Sequence, residues 1–235
     1  MRLGFFEMKK LTKCNELAFI VGTVFCALGV CLTIKSGFGL SMIAAPPYIL
    51  HHKIAHYAEW FSHGMAEALW QLFVMIVMVI AVERFNHRYL YSFGAAIISS
   101  VLIDFWLMVF GGVGVYSTFA ARIICFIFGE LITAFSIACL FRTTLPLQIH
   151  ELIVVEISEK YKIREEKVKF ANDILLLVIS LALALLLNHS FDGIGVGTVI
   201  ITMVNAPLIR MFGHFLDMHF EFESAFPKIT EKLSV

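Results

Sequence analysis

Residues 17–34 read LAFIVGTVFCALGVCLTI, eighteen positions without a charge, bounded by Glu16 and Lys35. A helix rising about 1.5 Å per residue needs about 20 such residues to cross a hydrocarbon layer about 30 Å thick. The stretch therefore reads as a membrane span, and five more segments pass the same test: 62–82, 93–110, 119–141, 168–187 and 196–215. All six are expected to be helices. A backbone in lipid must pair its N–H and C=O groups internally, and none of the stretches alternates in the manner of a barrel strand. Composition points the same way: 15% of the residues are charged, 60% are hydrophobic and the mean hydropathy is +0.86. A soluble domain carries about 25% charge.

Lys9, Lys10 and Lys13 precede the first span and give it the front half of a secretory signal. It ends in Thr33-Ile34-Lys35, without a small-x-small cleavage site, so it is read as a retained helix. Cys26, Cys31, Cys125 and Cys139 fall inside apolar blocks and Cys14 lies among lysines, a distribution that signals neither a disulfide framework nor a zinc motif. A formal net charge of zero and a pI near 7.1 exclude the basic surface that nucleic-acid binding requires. The sequence has no Gly-rich phosphate loop, no Gly-x-Ser-x-Gly elbow and no His-Glu-x-x-His, so no enzyme chemistry and no cofactor are expected.

The basic residues give the orientation. With the N-terminus in the cytoplasm, that side collects 14 Lys and Arg, among them Lys9, Lys10, Arg84, Arg88, Arg142 and Lys160. The opposite side holds 3: Lys35, Lys53 and Arg122. Short loops biased in this way follow the positive-inside rule, which predicts both termini inside. Residues 1–16 then form a cytoplasmic segment, and 218–235, which mix Phe220, Phe222 and Phe226 with charges, form a cytoplasmic or interfacial tail.

Two links are long, one after the first span and one after the fourth, which divides the chain into three helices (17–111) and three more (112–217). Lys35-Ser36-Gly37-Phe38-Gly39-Leu40 overlies Arg142-Thr143-Thr144-Leu145-Pro146-Leu147, 107 positions later. Halves with an odd number of spans have opposite orientations, so the expected fold is an all-α polytopic membrane bundle of two inverted three-helix repeats. In that architecture helix breaks line the solute site. The breaks here supply Gly37, Gly39 and Ser41 on one side and Thr144, Pro146, Gln148, His150 and Glu151 on the other. Asn205 in the last span completes the candidate set. A helix that restarts at such a break offers a partial positive charge, which favours an anionic solute; an ordinary helix end leading into a surface helix is the competing reading.

Ala27-Leu28-Gly29-Val30, Lys35–Ser41 and Pro47-Tyr48-Ile49-Leu50, together with Leu145–Leu152, Gly195–Ile200 and Pro207-Leu208-Ile209, resemble the YczE/YyaS/YitT type of bacterial integral membrane protein. The resemblance runs from about residue 17 to 215. It implies a bacterial inner-membrane protein of about six helices, in a family whose activity is undefined. Met42 and Ala44 depart from the proline and the polar or acidic residue expected there, and Arg210 stands where an acid is common.

Charges inside spans are costly and mark function or polar helix contacts. Glu130, near mid-bilayer by the helix rise, is the first candidate for a coupling carboxyl, with Asp104 second; Thr23 is the expected partner if Glu130 only joins helices. Asp104 and Arg210 occupy matching places in the two halves but at mirrored depths, so they are not expected to pair. Arg210 is expected to snorkel or to hold a lipid head group or ion. His51, His52, His56 and His63 cluster without a Cys or a clear carboxylate, and no metal is assigned to them. The resulting expectation is a small secondary transporter or permease for an unidentified solute, with the lipid bilayer as its first partner. The alternative is a non-enzymatic membrane subunit acting only with a partner complex or with further copies of itself.

Overall fold

The computed structural model describes residues 15–188 and 193–224. They form eight α-helices: α1 (Asn15–Ser36), α2 (Ala45–Ala55), α3 (His63–Val82), α4 (Arg88–Val109), α5 (Phe119–Leu140), α6 (Ile149–Tyr161), α7 (Glu165–Leu183, continued by a π-turn at Ala184–Asn188) and α8 (Val196–His219). Six of these, all but α2 and α6, are long and apolar enough to cross a membrane. The chain is thus a multi-pass membrane protein, all-helical among the described residues. The segment before Asn15 and the tail beyond Ser224, where Lys9, Phe226 and their neighbours were expected at the cytoplasmic surface, lie outside the described residues.

Element ends differ from the expected ones where polar groups extend a helix. α4 starts at Arg88 rather than near Phe93, because the Asn86 side-chain oxygen accepts from the Arg88 N–H at 3.1 Å and Tyr89 is fully buried in the first turn. α8 continues past 215, and its last turn is held by an Arg142–Asp217 ion pair. Beyond it Phe220 and Phe222 fold back on Ala18, Ala138 and Leu216, and the Asn15 N–H donates to the Glu223 carbonyl at 3.3 Å. The described part of the tail is therefore packed on the start of α1.

α1 and α5 run antiparallel in the closest helix contact of the bundle. Small residues make it possible: a Cβ on Gly129 would lie 3.0 Å from both the Gly29 carbonyl and the Thr33 N–H, and one on Gly22 would lie 2.8 Å from Leu140. Lipid gives no hydrophobic drive to pair helices, so close backbone approach and the dispersion it allows carry this contact. α4 packs beside α1 and α8 beside α5; α3 packs on α4; α2 packs on α3 and α7, and α6 on α7 and α3.

The two short helices bury their first turns and expose their last. α2 buries Ala45, Pro46, Pro47 and Ile49, whereas Tyr57 and Trp60 just beyond it are exposed; α6 buries Ile149, His150 and Leu152 and ends at the exposed Tyr161. Both are half-helices with their N-terminal ends inside the protein.

Asp104 has a positional task. Its Oδ1 accepts from the Gly64 N–H at 2.7 Å and its Oδ2 from the Ser62 hydroxyl, while Ser62 itself caps α3 by accepting from the Met65 N–H at 3.1 Å. A carboxylate at a helix N-terminus pairs donors that the helix leaves free and complements its dipole. Asp104→Ala should lower stability by about 1–3 kcal/mol, because two donors lose their partner, and Asp104→Asn by less. Thermal unfolding in detergent measures both.

Candidate functional site

The first break begins where α1 stops. Gly37 and Gly39 take φ values of 63° and 120°, a region that a residue with a Cβ rarely adopts. Arg122, in the first turn of α5, closes the helix end: Nε donates to the Ser36 carbonyl at 2.7 Å and a terminal nitrogen to the Gly37 carbonyl at 3.2 Å. Its guanidinium also lies 4.7 Å from the centre of the Phe38 ring. Two backbone bonds then fasten the break to the start of α8: Gly197 N–H donates to the Phe38 carbonyl at 2.8 Å, and Leu40 N–H to the Gly193 carbonyl at 2.9 Å. The two glycine-containing motifs, far apart in sequence, form one unit.

The second break is fastened by side chains. Arg142 forks onto Asp217 with both contacts at 2.6 Å and donates to the Ala138 carbonyl at 3.0 Å. Buried Asn15 accepts from the Thr144 N–H at 2.8 Å and from its hydroxyl at 3.3 Å. The backbone bends at Thr144 and Leu145, and Gln148 is the residue before α6, with its carbonyl accepting from the Glu151 and Leu152 N–H groups.

Between the inner ends of α2 and α6 lies a cavity of about 170 Å³. Ser41, Met42 and Ala44 reach it from the first break, Gln148 and Glu151 from the second, and Thr202 and Asn205 from α8. Cys26, Val30, Ile103 and Ile137 supply apolar wall. Four of the candidate residues, Ser41, Gln148, Glu151 and Asn205, thus meet in one space. The others stand around it: Gly37 and Gly39 shape the first break, Thr144 is bound to Asn15, and Pro146 borders a separate hollow of about 10 Å³.

A polar chain runs along one wall. Gln71 Nε2 donates to Glu67 Oε1 at 3.0 Å and approaches Gln148 Oε1 at 3.5 Å; Gln148 Nε2 donates to Ser99 at 3.3 Å; and the Ile149 N–H donates to Gln71 Oε1 at 3.3 Å. His150 is 2% exposed and sits behind the wall with Nε2 3.5 Å from Glu67 Oε1. Lys169 and Asp173, one turn apart on α7, pair at 2.8 Å. Glu67, Lys169 and Asp173 line the cavity, with Gln71 bonded behind them, and the breaks alone do not reveal these positions. Their signal in the sequence is polar pairs at i, i+4 on helices that are otherwise apolar, a spacing that places both members on one face.

Glu151 lies outside the six spans, in the buried first turn of α6. Burial pushes its carboxyl above the usual carboxylate range, His150 and Lys169 oppose the shift, and Glu67 adds to it. Its Oε2 is buried without a hydrogen-bond partner, and so is Asn205 Oδ1.

Glu130 is buried at 7% exposure with Oε1 unpaired, one turn before Thr133, which does line the cavity. The Thr23 hydroxyl donates to the Phe19 carbonyl of its own helix at 2.8 Å instead of to Glu130. Arg210 is exposed on α8 and does not share a site with Asp104. His51 and His63 meet edge to face at 5.7 Å, and among the described residues no three of His, Cys, Asp and Glu gather as a metal site would require.

A family model described as a family of unknown function, DUF6198, matches residues 13–214. Among curated proteins the chain is similar to "Uncharacterized protein YyaS" of Bacillus subtilis (strain 168), at 24% identity over 206 residues that cover 85% of this chain and 92% of that one. No solved structure matches.

Proposed function

The chain belongs to the DUF6198 family of unknown function; we propose that it is a small secondary transporter or permease of the bacterial cytoplasmic membrane, with both termini inside. The observation that carries this reading is the cavity where the buried ends of two half-helices meet, each half-helix following a helix break. Sites of this kind in transporters sit near the midplane between inverted repeats. Part of the helix pairing supports such a repeat: α1 with α4 corresponds to α5 with α8, and α2 on α3 and α7 to α6 on α7 and α3, whereas the packing of α3 on α4 has no comparable counterpart between α7 and α8 among the described residues. The distribution of Lys and Arg supports the orientation.

Glu151 and Glu67 are the coupling carboxyls in this reading, because both line the solute space, with Glu130 a further carboxyl one turn along α5. A proton bound to Glu151 and a solute in the cavity then affect each other directly. The folded protein holds that proton more tightly than the unfolded chain does, so its contribution to stability is full at low pH and is lost as pH rises through the raised value. The thermal midpoint of the purified protein should therefore fall with rising pH above the ordinary carboxylate range, and Glu151→Gln should flatten that slope.

Reconstitution into liposomes under an imposed pH gradient, with pooled small metabolites outside, tests the function itself. Solute uptake that responds to the gradient, and whose pH dependence is lost in Glu151→Gln, is expected. Folded wild-type protein that moves none of the pools would favour the partner-dependent reading. In that case α7 and α8, the least buried of the six spans, are the faces available to a partner subunit or a second copy.

A further inference from the structure

We infer that the central cavity takes a small organic cation, an ammonium or guanidinium group on an apolar body, rather than an anion; this rests on the transporter reading above for its biological use but not for the binding itself. Two half-helices that point their N-termini at one space would by themselves favour an anion, since each end carries about half a positive charge on free N–H groups. Here those donors, the His150 N–H excepted, are missing or engaged. In the first turn of α2, the Ala45 N–H is given to the Ser41 carbonyl at 3.0 Å, Pro46 and Pro47 have no N–H, and the Tyr48 N–H is given to the Ala44 carbonyl at 3.4 Å. In α6 the Ile149 N–H goes to Gln71 and those of Glu151 and Leu152 to the Gln148 carbonyl. Glu151, in that same first turn, also sets a carboxyl against the α6 dipole.

What the cavity offers instead is acceptors. Glu151 Oε2 and Asn205 Oδ1 are buried on its lining with no hydrogen-bond partner. Glu67, 6% exposed, is a second carboxyl on the wall. The lining carries three acids, Glu67, Glu151 and Asp173, against one base, Lys169, which is already paired with Asp173. A buried acceptor left unpaired is costly, and an entering N–H donor with positive charge relieves that cost, whereas an anion adds to it. The volume, about 170 Å³, is close to that of an apolar cavity known to hold benzene. A charged head facing Glu151 and Asn205, with a short hydrocarbon against Val30, Ile103 and Ile137, fits both the polar and the apolar parts of the wall.

Ligand-observed saturation-transfer NMR on the full-length protein in detergent tests the charge preference with three probes of similar shape: n-butylammonium, butyrate and 1-butanol. Saturable binding of butylammonium over both others is expected. Glu151→Gln should weaken it about tenfold or more, as loss of a charge-assisted hydrogen bond does. Asn205→Asp, which adds an acid at the other unpaired acceptor, should strengthen it, so that a variant lost to misfolding leaves a second reading of opposite sign. Equal or tighter binding of butyrate, no saturable binding of butylammonium to folded protein, or butylammonium binding indifferent to both substitutions would overturn the inference. Butyrate preference would leave the transporter reading standing, and butylammonium binding without any flux in liposomes would remove the transporter reading while leaving the cation site.

Discussion

A Gly29→Val protein is expected to fail to reach a folded, monodisperse state in detergent. Position 29 sits where α1 crosses α5, and a Cβ there would overlap the Thr133 hydroxyl and come within 2.8 Å of the Gly129 carbonyl and 2.9 Å of the Thr133 N–H. The obstruction on the far side is largely backbone, which cannot rotate away. Overpacking at such a contact costs about 3 kcal/mol or more, and the α1–α5 pair is the axis on which α4 and α8 are mounted. Size-exclusion chromatography of a fluorescent fusion reads the outcome. Gly94→Ala is the control: nothing lies within 4 Å of a Cβ at that position on α4, so this variant should elute as the wild type does. A Gly29→Val protein of normal stability would mean that α1 and α5 do not meet face to face.

Gly39→Ala should fold less stably, by about 2–5 kcal/mol, and lose solute uptake. Two costs add. Alanine at φ 120° is strained on its own account. Its Cβ would also lie 2.5 Å from the Thr198 hydroxyl oxygen and 2.7 Å from the Gly195 nitrogen. Relief requires the break to part from the start of α8, which gives up the Gly197-to-Phe38 and Leu40-to-Gly193 bonds and shifts Ser41 and Met42 out of the cavity wall. Thermal unfolding and liposome uptake should therefore both change. A protein with normal unfolding and lost uptake would place the effect in the break itself, and one normal in both would show that the break is not fixed by Gly39.

The membrane bundle is legible from local pattern because hydrocarbon thickness imposes a length on each span and charge imposes an end. Residues 17–34 and 119–141 fall within one or two residues of α1 and α5 for that reason. The two breaks are legible as well, since Gly37, Gly39 and Pro146 act on their own backbone. Matching positions in the two halves were less informative. Asp104, a candidate coupling carboxyl by its place in a span, caps α3, whereas Arg210, expected to snorkel or to hold a head group, is exposed on α8.

The charge preference of the site shows the division most clearly. Local pattern alone marks six segments long and apolar enough to cross a membrane, two breaks, and Ser41, Gln148, Glu151 and Asn205 as polar residues at or near those breaks or in the last span. From a helix break alone it pointed to an anion. The packing across the bundle is what brings these residues to one cavity, adds Glu67 and Asp173 from α3 and α7, and leaves the first-turn N–H donors of α2 and α6, the His150 N–H excepted, engaged or absent. The physical reason is that helix periodicity and hydropathy act over a few residues along the chain. A binding field is instead a sum over groups from different helices, and its sign is fixed only once their partners across the bundle are known.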